Sequence, residues 1–333
     1  MSTSDQLSAL REAAVFGAVA EHRQVAVSGP DRAAFLQGLL TNDITALSAG
    51  QGCYAAWLTP QGRMLTDMHV LEAGDMLLLD VPAAEVGHVV ARLEQFHFTE
   101  DVRIADLSGS LESVWVHGPT ASRVLAALAP SGGAFTSDTR VSWVNYQNAR
   151  AALAGLDAVV ARIDQLGVPG YVVYVGAGQG DELTRALVSN GAQPAAPEVI
   201  EAARIEACYP VFGVDMTADT IPLEADIQDR AISLTKGCYV GQEVIIRVLH
   251  RGHGRVARKL VGLHVDGAVP PRGAKIFVGD REVGAVTSAA QSPRLGSIAL
   301  GYVHRDVVEP GTAVEVGVAS GRASATIRSK SAS

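Results

Sequence analysis

The hydrophobic pattern changes character near residue 258, and that change constrains the fold more than any other feature of the chain. Beyond Arg258 the helical spacing gives way to six short apolar runs, Leu260–Val265, Lys275–Val278, Glu282–Thr287, Ile298–Val303, Ala313–Val318 and Ala323–Ile327, separated by Gly, Pro or Asp turns. Strands so short and so evenly punctuated predict a small antiparallel barrel or sandwich. Upstream, helical and strand patterns mix without the steady βαβ rhythm of a doubly wound sheet, so the fold class is α+β. The boundary falls at residues 252–260 and divides the chain into 1–255 and 256–333. A length of 333 residues accommodates that division and a further one inside the first part.

The first part opens on Leu7, Leu10, Ala14 and Val15, whose spacing predicts a helix over 5–20. A strand at Gln24–Val27 meets the turn Ser28-Gly29-Pro30-Asp31, and a helix follows over Ala33–Leu40. Cys53 to Val81 reads as a β-meander with turns at Pro60-Gln61-Gly62 and Gly74-Asp75, and a packed helix spans Ala84–Phe96. The same grammar returns as strands at Glu112–Val116, Val141–Tyr146 and Ala158–Ile163, a helix at Ala121–Leu128, a strand-turn-helix unit over Tyr171–Ser189, and a helix at Ala196–Ala207.

Charge and cysteine content narrow the function classes. Lys plus Arg number 27 against 35 Asp plus Glu, a net charge of −8 that repels nucleic acid and anionic membrane. Three cysteines without a C-x-x-C pair argue against a disulfide framework or a zinc ribbon. No apolar run approaches the ~18 residues of a membrane span, and the first residues lack the basic start and apolar core of a secretory signal. The expected setting is cytoplasmic.

Several motifs invite chemistry. Gly176-Ala177-Gly178-Gln179-Gly180 lies between a strand and a helix, but its spacing departs from a dinucleotide loop and it reads as a plain turn. His250 and His253 stand three apart with no third ligand at metal spacing, as solvated loop histidines do. Residues 247–259 carry Arg247, Arg251, Arg255, Arg258 and Lys259 and no acid, a local field that attracts a small anion. Just upstream, Lys236-Gly237-Cys238-Tyr239-Val240-Gly241-Gln242-Glu243 sets a thiol beside a lysine on a tight turn, where Cys238 is either an activated thiolate or a small buried hydrophobe. Around Arg204-Ile205-Glu206, the rings of Tyr209, Phe212 and Tyr239 supply flat apolar surface, and one carboxylate there suits a heterocycle that presents two adjacent N–H groups.

At these residues the sequence resembles the YgfZ-type folate-binding proteins, relatives of the aminomethyltransferase (T-protein) of the glycine cleavage system. The string from Lys236, Gly237 and Cys238 to Gly241, Gln242 and Glu243 carries that family's own signature. Arg204 to Asp215, Ile221-Pro222-Leu223-Glu224-Ala225, Val27 to Gly38 and Thr41-Asn42-Asp43 resemble its other segments, so the likeness spans nearly the whole chain. It implies two interleaved α+β domains that form a folate-binding ring, closed by a C-terminal antiparallel β-barrel, with tetrahydrofolate or a one-carbon derivative in a central channel. Glu206 would take the pterin edge and Tyr209, Phe212 and Tyr239 would wall the slot. Arg247 and Arg251 are, by charge, the candidates for the anionic glutamate tail.

The resemblance further implies an accessory factor for the assembly or repair of iron–sulfur clusters in client enzymes, with Cys238 as the reactive residue. The alternative is a folate-dependent aminomethyltransferase or other one-carbon transferase with Asp67 as proton acceptor. Transferase relatives carry an Asp-Asp pair after a Gly-rich turn. Here the turn reads Gly62-Arg63-Met64-Leu65-Thr66-Asp67, and the loss of one acid to Thr66 argues against transfer.

Overall fold

The computed structural model describes residues 3–130, 143–250 and 255–328. The chain opens on α1 (Thr3–Glu12), β1 (Val15–Ala18), β2 (His22–Ser28) and α2 (Arg32–Gln37). The meander follows as β3 (Gly52–Leu58), β4 (Met64–Glu72) and β5 (Met76–Pro82), then α3 (Val86–Phe96), β6 (Arg103–Asp106), β7 (Leu111–His117) and α4 (Ala121–Leu128). Next come β8 (Asn148–Leu153), β9 (Leu156–Arg162), β10 (Gly170–Gly176), α5 (Gly180–Ser189), β11 (Gln193–Pro194), α6 (Pro197–Glu206), α7 (Gln228–Ala231) and α8 (Gln242–His250). The rest is strand: β12 (Arg258–Val265), β13 (Lys275–Val278), β14 (Arg281–Ser292), β15 (Gly296–His304), β16 (Ala313–Val318) and β17 (Gly321–Arg328).

The strands form two open sheets and a closed barrel. One sheet runs β11-β1-β7-β10-β9-β8, the other β3-β4-β5-β2-β6, and the barrel β12-β15-β14-β13-β16-β17. Because β1 joins the first sheet while β2 to β6 build the second, the two α+β units interleave along the chain. Closure of the barrel removes its edges, so a segment this short needs no covering helix to satisfy its backbone.

Alternation explains how the second sheet is used. Val25, Val27, Cys53, Ala55, Val70, Leu77, Leu79 and Val81 pack with Phe35, Leu36, Val89 and Leu93 of the helices on one side. The opposite positions of the same strands carry His22, Gln24, Tyr54, Asp67, His69 and Asp80, with His69 and Gln24 both directly opposite Asp80 across the ladder. A strand of period two can be apolar on one face and chemical on the other.

Two local expectations are corrected. The opening helix ends at Glu12, and Val15 begins a strand that pairs with both β7 and β11. Apolar residues at 14 and 15 fit either period, and sheet pairing decides between them. The strand expected over Val141–Tyr146 lies partly outside the described residues; its described portion is irregular, and the strand begins at Asn148.

Candidate functional site

A cavity of about 1030 Å³ lies where the two sheets and the barrel meet. Its wall takes His22, Tyr54, Asp67, His69 and Asp80 from the second sheet, Trp115 and His117 from β7, Glu198, Glu201 and Arg204 from α6, Tyr209 and Phe212 from the segment beyond it, and Ala289 to Gln291 from barrel strand β14. Acids and aromatics thus face one space, with apolar surface between them.

Asp67 is buried on β4 and accepts a hydrogen bond from the Tyr54 hydroxyl at 2.6 Å. Burial, together with the neighbouring Asp67 charge, lifts the Tyr54 phenol well above its ordinary range, so it stays a donor. The Arg230 guanidinium lies 4.8 Å from the Tyr54 ring centre and 3.9 Å from that of Tyr209, within cation–π range of both. Nearby, Asp80 accepts from Gln24 at 2.8 Å and stands 3.2 Å from Nδ1 of both His22 and His69. Burial would raise the Asp80 carboxyl, but the two imidazoles overcome it and hold the group well below the usual carboxylate range.

Glu206 requires a correction. It is 3% exposed yet absent from the cavity wall, and its carboxylate accepts from Arg11, Ser292 and Arg294, which clamp α6 to α1 and to the barrel. Three donors leave it little capacity for a ligand. Five residues earlier on α6, Glu201 does line the cavity, its side chain 43% exposed and held by Arg204 at 2.5 and 2.6 Å. Arg204 also reaches Asp215 at 2.8 Å and Ser288 at 2.8 Å, which fixes the wall to the barrel.

The signature segment lies away from the cavity wall. Lys236 points inward and donates to the carbonyls of Gln37, Leu40 and Asn42 at 2.6 to 2.7 Å, so its charge ties down the end of α2 and does not favour the Cys238 thiolate. Cys238 and Gly237 are exposed at the surface. Tyr239 is buried in the central apolar cluster and walls no slot. Gly241 and Gln242 lead into α8, where exposed Glu243 pairs with exposed Arg247. Arg247 is thus paired with Glu243 and absent from the cavity wall, where an anchor for an anionic tail is expected; Arg251 and His253 lie outside the described residues. Among the other basic residues, Arg258 pairs with Glu224 and Lys259 with Asp226, so part of the acid-free window is neutralised by acids distant in sequence. At the glycine-rich turn Glu112 accepts from Gly178 and Gly180 at 2.9 and 2.7 Å, filling with a protein carboxylate the place a phosphate would need.

Tyr209, Phe212 and Asp67 are therefore brought together, whereas Glu206, Tyr239, Cys238 and Arg247 are not. Sequence reasoning passed over His22, His69, Asp80, Glu201 and Arg230. The signal for two of them is a polar residue inside an apolar strand, Met68-His69-Val70 and Leu79-Asp80-Val81.

Residues 2–236 match the family described as GCVT N-terminal domain, and residues 258–332 match the glycine cleavage T-protein C-terminal barrel domain. The chain belongs to the glycine cleavage T-protein family. It is 28% identical over 322 residues to an aminomethyltransferase of Bacillus subtilis, covering 95% of this chain and 86% of that protein. An aminomethyltransferase of Saccharopolyspora erythraea is 30% identical over 328 residues, covering 93% of this chain and 84% of the relative. The solved aminomethyltransferase T of the glycine cleavage system from Bartonella henselae superposes with a TM-score of 0.85 at 23% identity, over 98% of this chain and 88% of that one, a likeness of fold.

Proposed function

We propose that this member of the family binds a reduced folate in the central cavity and acts as a one-carbon transferase of the aminomethyltransferase kind. The observation that carries the reading is the direction of Asp67. On β4 its side chain faces the cavity, whereas Thr66, opposite Trp57 across the ladder, is absent from the cavity wall. The acid replaced by Thr66 thus belongs to a position outside the cavity wall, and the acid on the wall is retained. The departure from the Asp-Asp pattern, which argued against transfer in the sequence, loses its force.

The residues present fit the ligand. A cavity of about 1030 Å³ suits a molecule the size of a folate, and its mixed apolar and acidic wall suits a bicyclic ring with N–H groups along one edge. Glu201 is an acid on α6 that faces the cavity; Arg204 takes one lone pair on each of its oxygens, so the ring edge would be met by the remaining ones, and Tyr209 and Phe212 supply flat walls. The bound folate would supply the nitrogen that accepts the one-carbon unit. Asp67 would hold or move a proton at Oδ1, while Tyr54 fixes Oδ2 by its hydrogen bond.

The test is formation of methylenetetrahydrofolate and ammonia from an aminomethylated carrier. Asp67→Asn should retain folate affinity within a few-fold and lose ~10²-fold or more in turnover, the usual scale of acid–base catalysis. Turnover undiminished in that variant would remove Asp67 from the mechanism.

A second reading, the YgfZ-type accessory role toward iron–sulfur clients, is favoured by one observation. Cys238 is exposed beside exposed Gly237 and Leu234, where a client protein has access to it. A lone thiolate lacks the usual four cluster ligands, so a client would complete any such site. Restoration of client activity by the wild-type protein and not by Cys238→Ala, with no ammonia released in the transfer assay, would favour this reading over the first.

A further inference from the structure

The geometry points to a divalent transition-metal site formed by His22, His69 and Asp80 on the wall of the cavity. The three side chains come from adjacent strands of one sheet, and their donor atoms lie within 4.8 Å of one another. The arrangement follows from register. Asp80 on β5 stands directly opposite His69 on β4 and Gln24 on β2, and His22 lies two residues before Gln24 on the same face. Three strands thereby deliver two imidazoles to a single carboxylate.

Distances and donor chemistry agree with a metal. Nδ1 of His22 and Nδ1 of His69 each stand 3.2 Å from Oδ2 of Asp80. Two ligands on an ion with bonds of ~2.1 Å are separated by about 3.0 Å at octahedral angles and about 3.4 Å at tetrahedral ones. The two His–Asp separations fall within that range, and the three donor atoms lie within 4.8 Å of one another, so an ion between them requires only side-chain adjustment. The imidazole rings lie nearly parallel, 16° apart with centres at 5.8 Å, and both turn Nδ1 toward the same Asp80 oxygen.

Outer partners hold the ligands as they do in established metal centres. Gln24 donates to Asp80 Oδ1 at 2.8 Å and leaves Oδ2 for the ion, while the Gln165 amide nitrogen lies 3.3 Å from His69 Nε2, so binding through Nδ1 requires that amide to turn its oxygen toward the Nε2–H. Two nitrogens and one oxygen form a borderline donor set, suited to Zn²⁺, Fe²⁺ or Co²⁺ and poorly suited to Ca²⁺ or Mg²⁺. Three protein ligands leave further coordination positions, and all three line the cavity, so water or a cavity-bound anion can occupy them. The inference does not depend on folate binding.

The experiment titrates Co²⁺ into chelator-treated full-length protein, followed by visible ligand-field absorption and calorimetry. Saturable binding of one equivalent is expected, at least tenfold weaker in His69→Ala and in His22→Ala, with Zn²⁺ displacing Co²⁺ and millimolar Mg²⁺ failing to do so. His22 sits half-buried at the start of its strand, so His22→Ala is the variant least disturbing to the fold, and a wild-type circular dichroism spectrum verifies this. Absence of saturable binding would leave the cluster as a hydrogen-bonded acid and two imidazoles and would overturn the inference. So would Co²⁺ binding of unchanged affinity in a folded His22→Ala protein.

Discussion

At the scale of single residues, burial has to be distinguished from availability. Glu206 is as buried as a ligand-binding acid should be, but Arg11, Arg294 and Ser292 already occupy it, and sequence carries no trace of those distant donors. Glu206→Gln should leave reduced-folate affinity unchanged and lower stability by about 1–3 kcal/mol, the cost of weakening a buried charge network. Glu201→Gln should weaken folate binding roughly tenfold, the loss of one charge-assisted hydrogen bond, with a smaller loss of stability than Glu206→Gln because its pair with Arg204 is partly exposed. Calorimetry and urea unfolding on both variants check the pair, and the opposite pattern would return the pterin edge to Glu206. His117 offers a second test. It is 3% exposed, its Nδ1 has no hydrogen-bond partner among the described residues, and burial pushes the imidazole down to about 3. The unfolded chain takes up that proton near pH 6.5, the folded chain only near 3, so between those values the unfolded state binds more protons. His117's contribution is fully present above about pH 6.5 and is lost as the pH falls toward 3. His117→Gln should flatten that part of the stability–pH curve, and an unaltered slope in urea titrations across the window would contradict it.

At the scale of elements, the lesson is which regularities a chain displays to a reader. The β-meander, the packed helix near Val86–Phe96 and the barrel strands were legible because their period is local and their turns are marked by Gly, Pro and Asp. Val15–Ala18 was not, since a four-residue strand takes its identity from β7 and β11. In the site, Tyr209, Phe212 and Asp67 were readable from motif and resemblance, whereas the His22, His69 and Asp80 group depends on cross-strand register, which a linear string does not display. The signature segment shows the converse: a string that stands out in sequence serves in part to join elements. Lys236 stitches the end of α2, and Gly241 adopts φ +84° with the Thr59 carbonyl only 2.4 Å from where a Cβ would stand. Backbone that cannot retreat makes such a position intolerant. Gly241→Ala should cost roughly 2 kcal/mol or more and detach α8 from the β3–β4 turn. Denaturant melts with amide exchange localised to residues 59–62 and 241–250 would register it, and a melt superimposable on wild type would speak against the account.

At the scale of the whole molecule, the three sheets share one hollow, and distant parts of the chain are bolted together around it. Arg11 of the first helix and Arg294 of the barrel meet on a single carboxylate of α6. Arg204 reaches Asp215 and Ser288, and Arg328 of the last strand reaches the carbonyl of Glu206 at 2.7 Å. Residues 289–291 of the barrel form part of the cavity wall. A ribosome emitting this polypeptide therefore releases both open sheets before the chamber is closed, and the last side of the wall arrives with the barrel strand that carries residues 289–291. Occupancy by a ligand is then sensitive to whether the barrel has docked, which a nascent or clipped fragment without it would fail to reproduce in full.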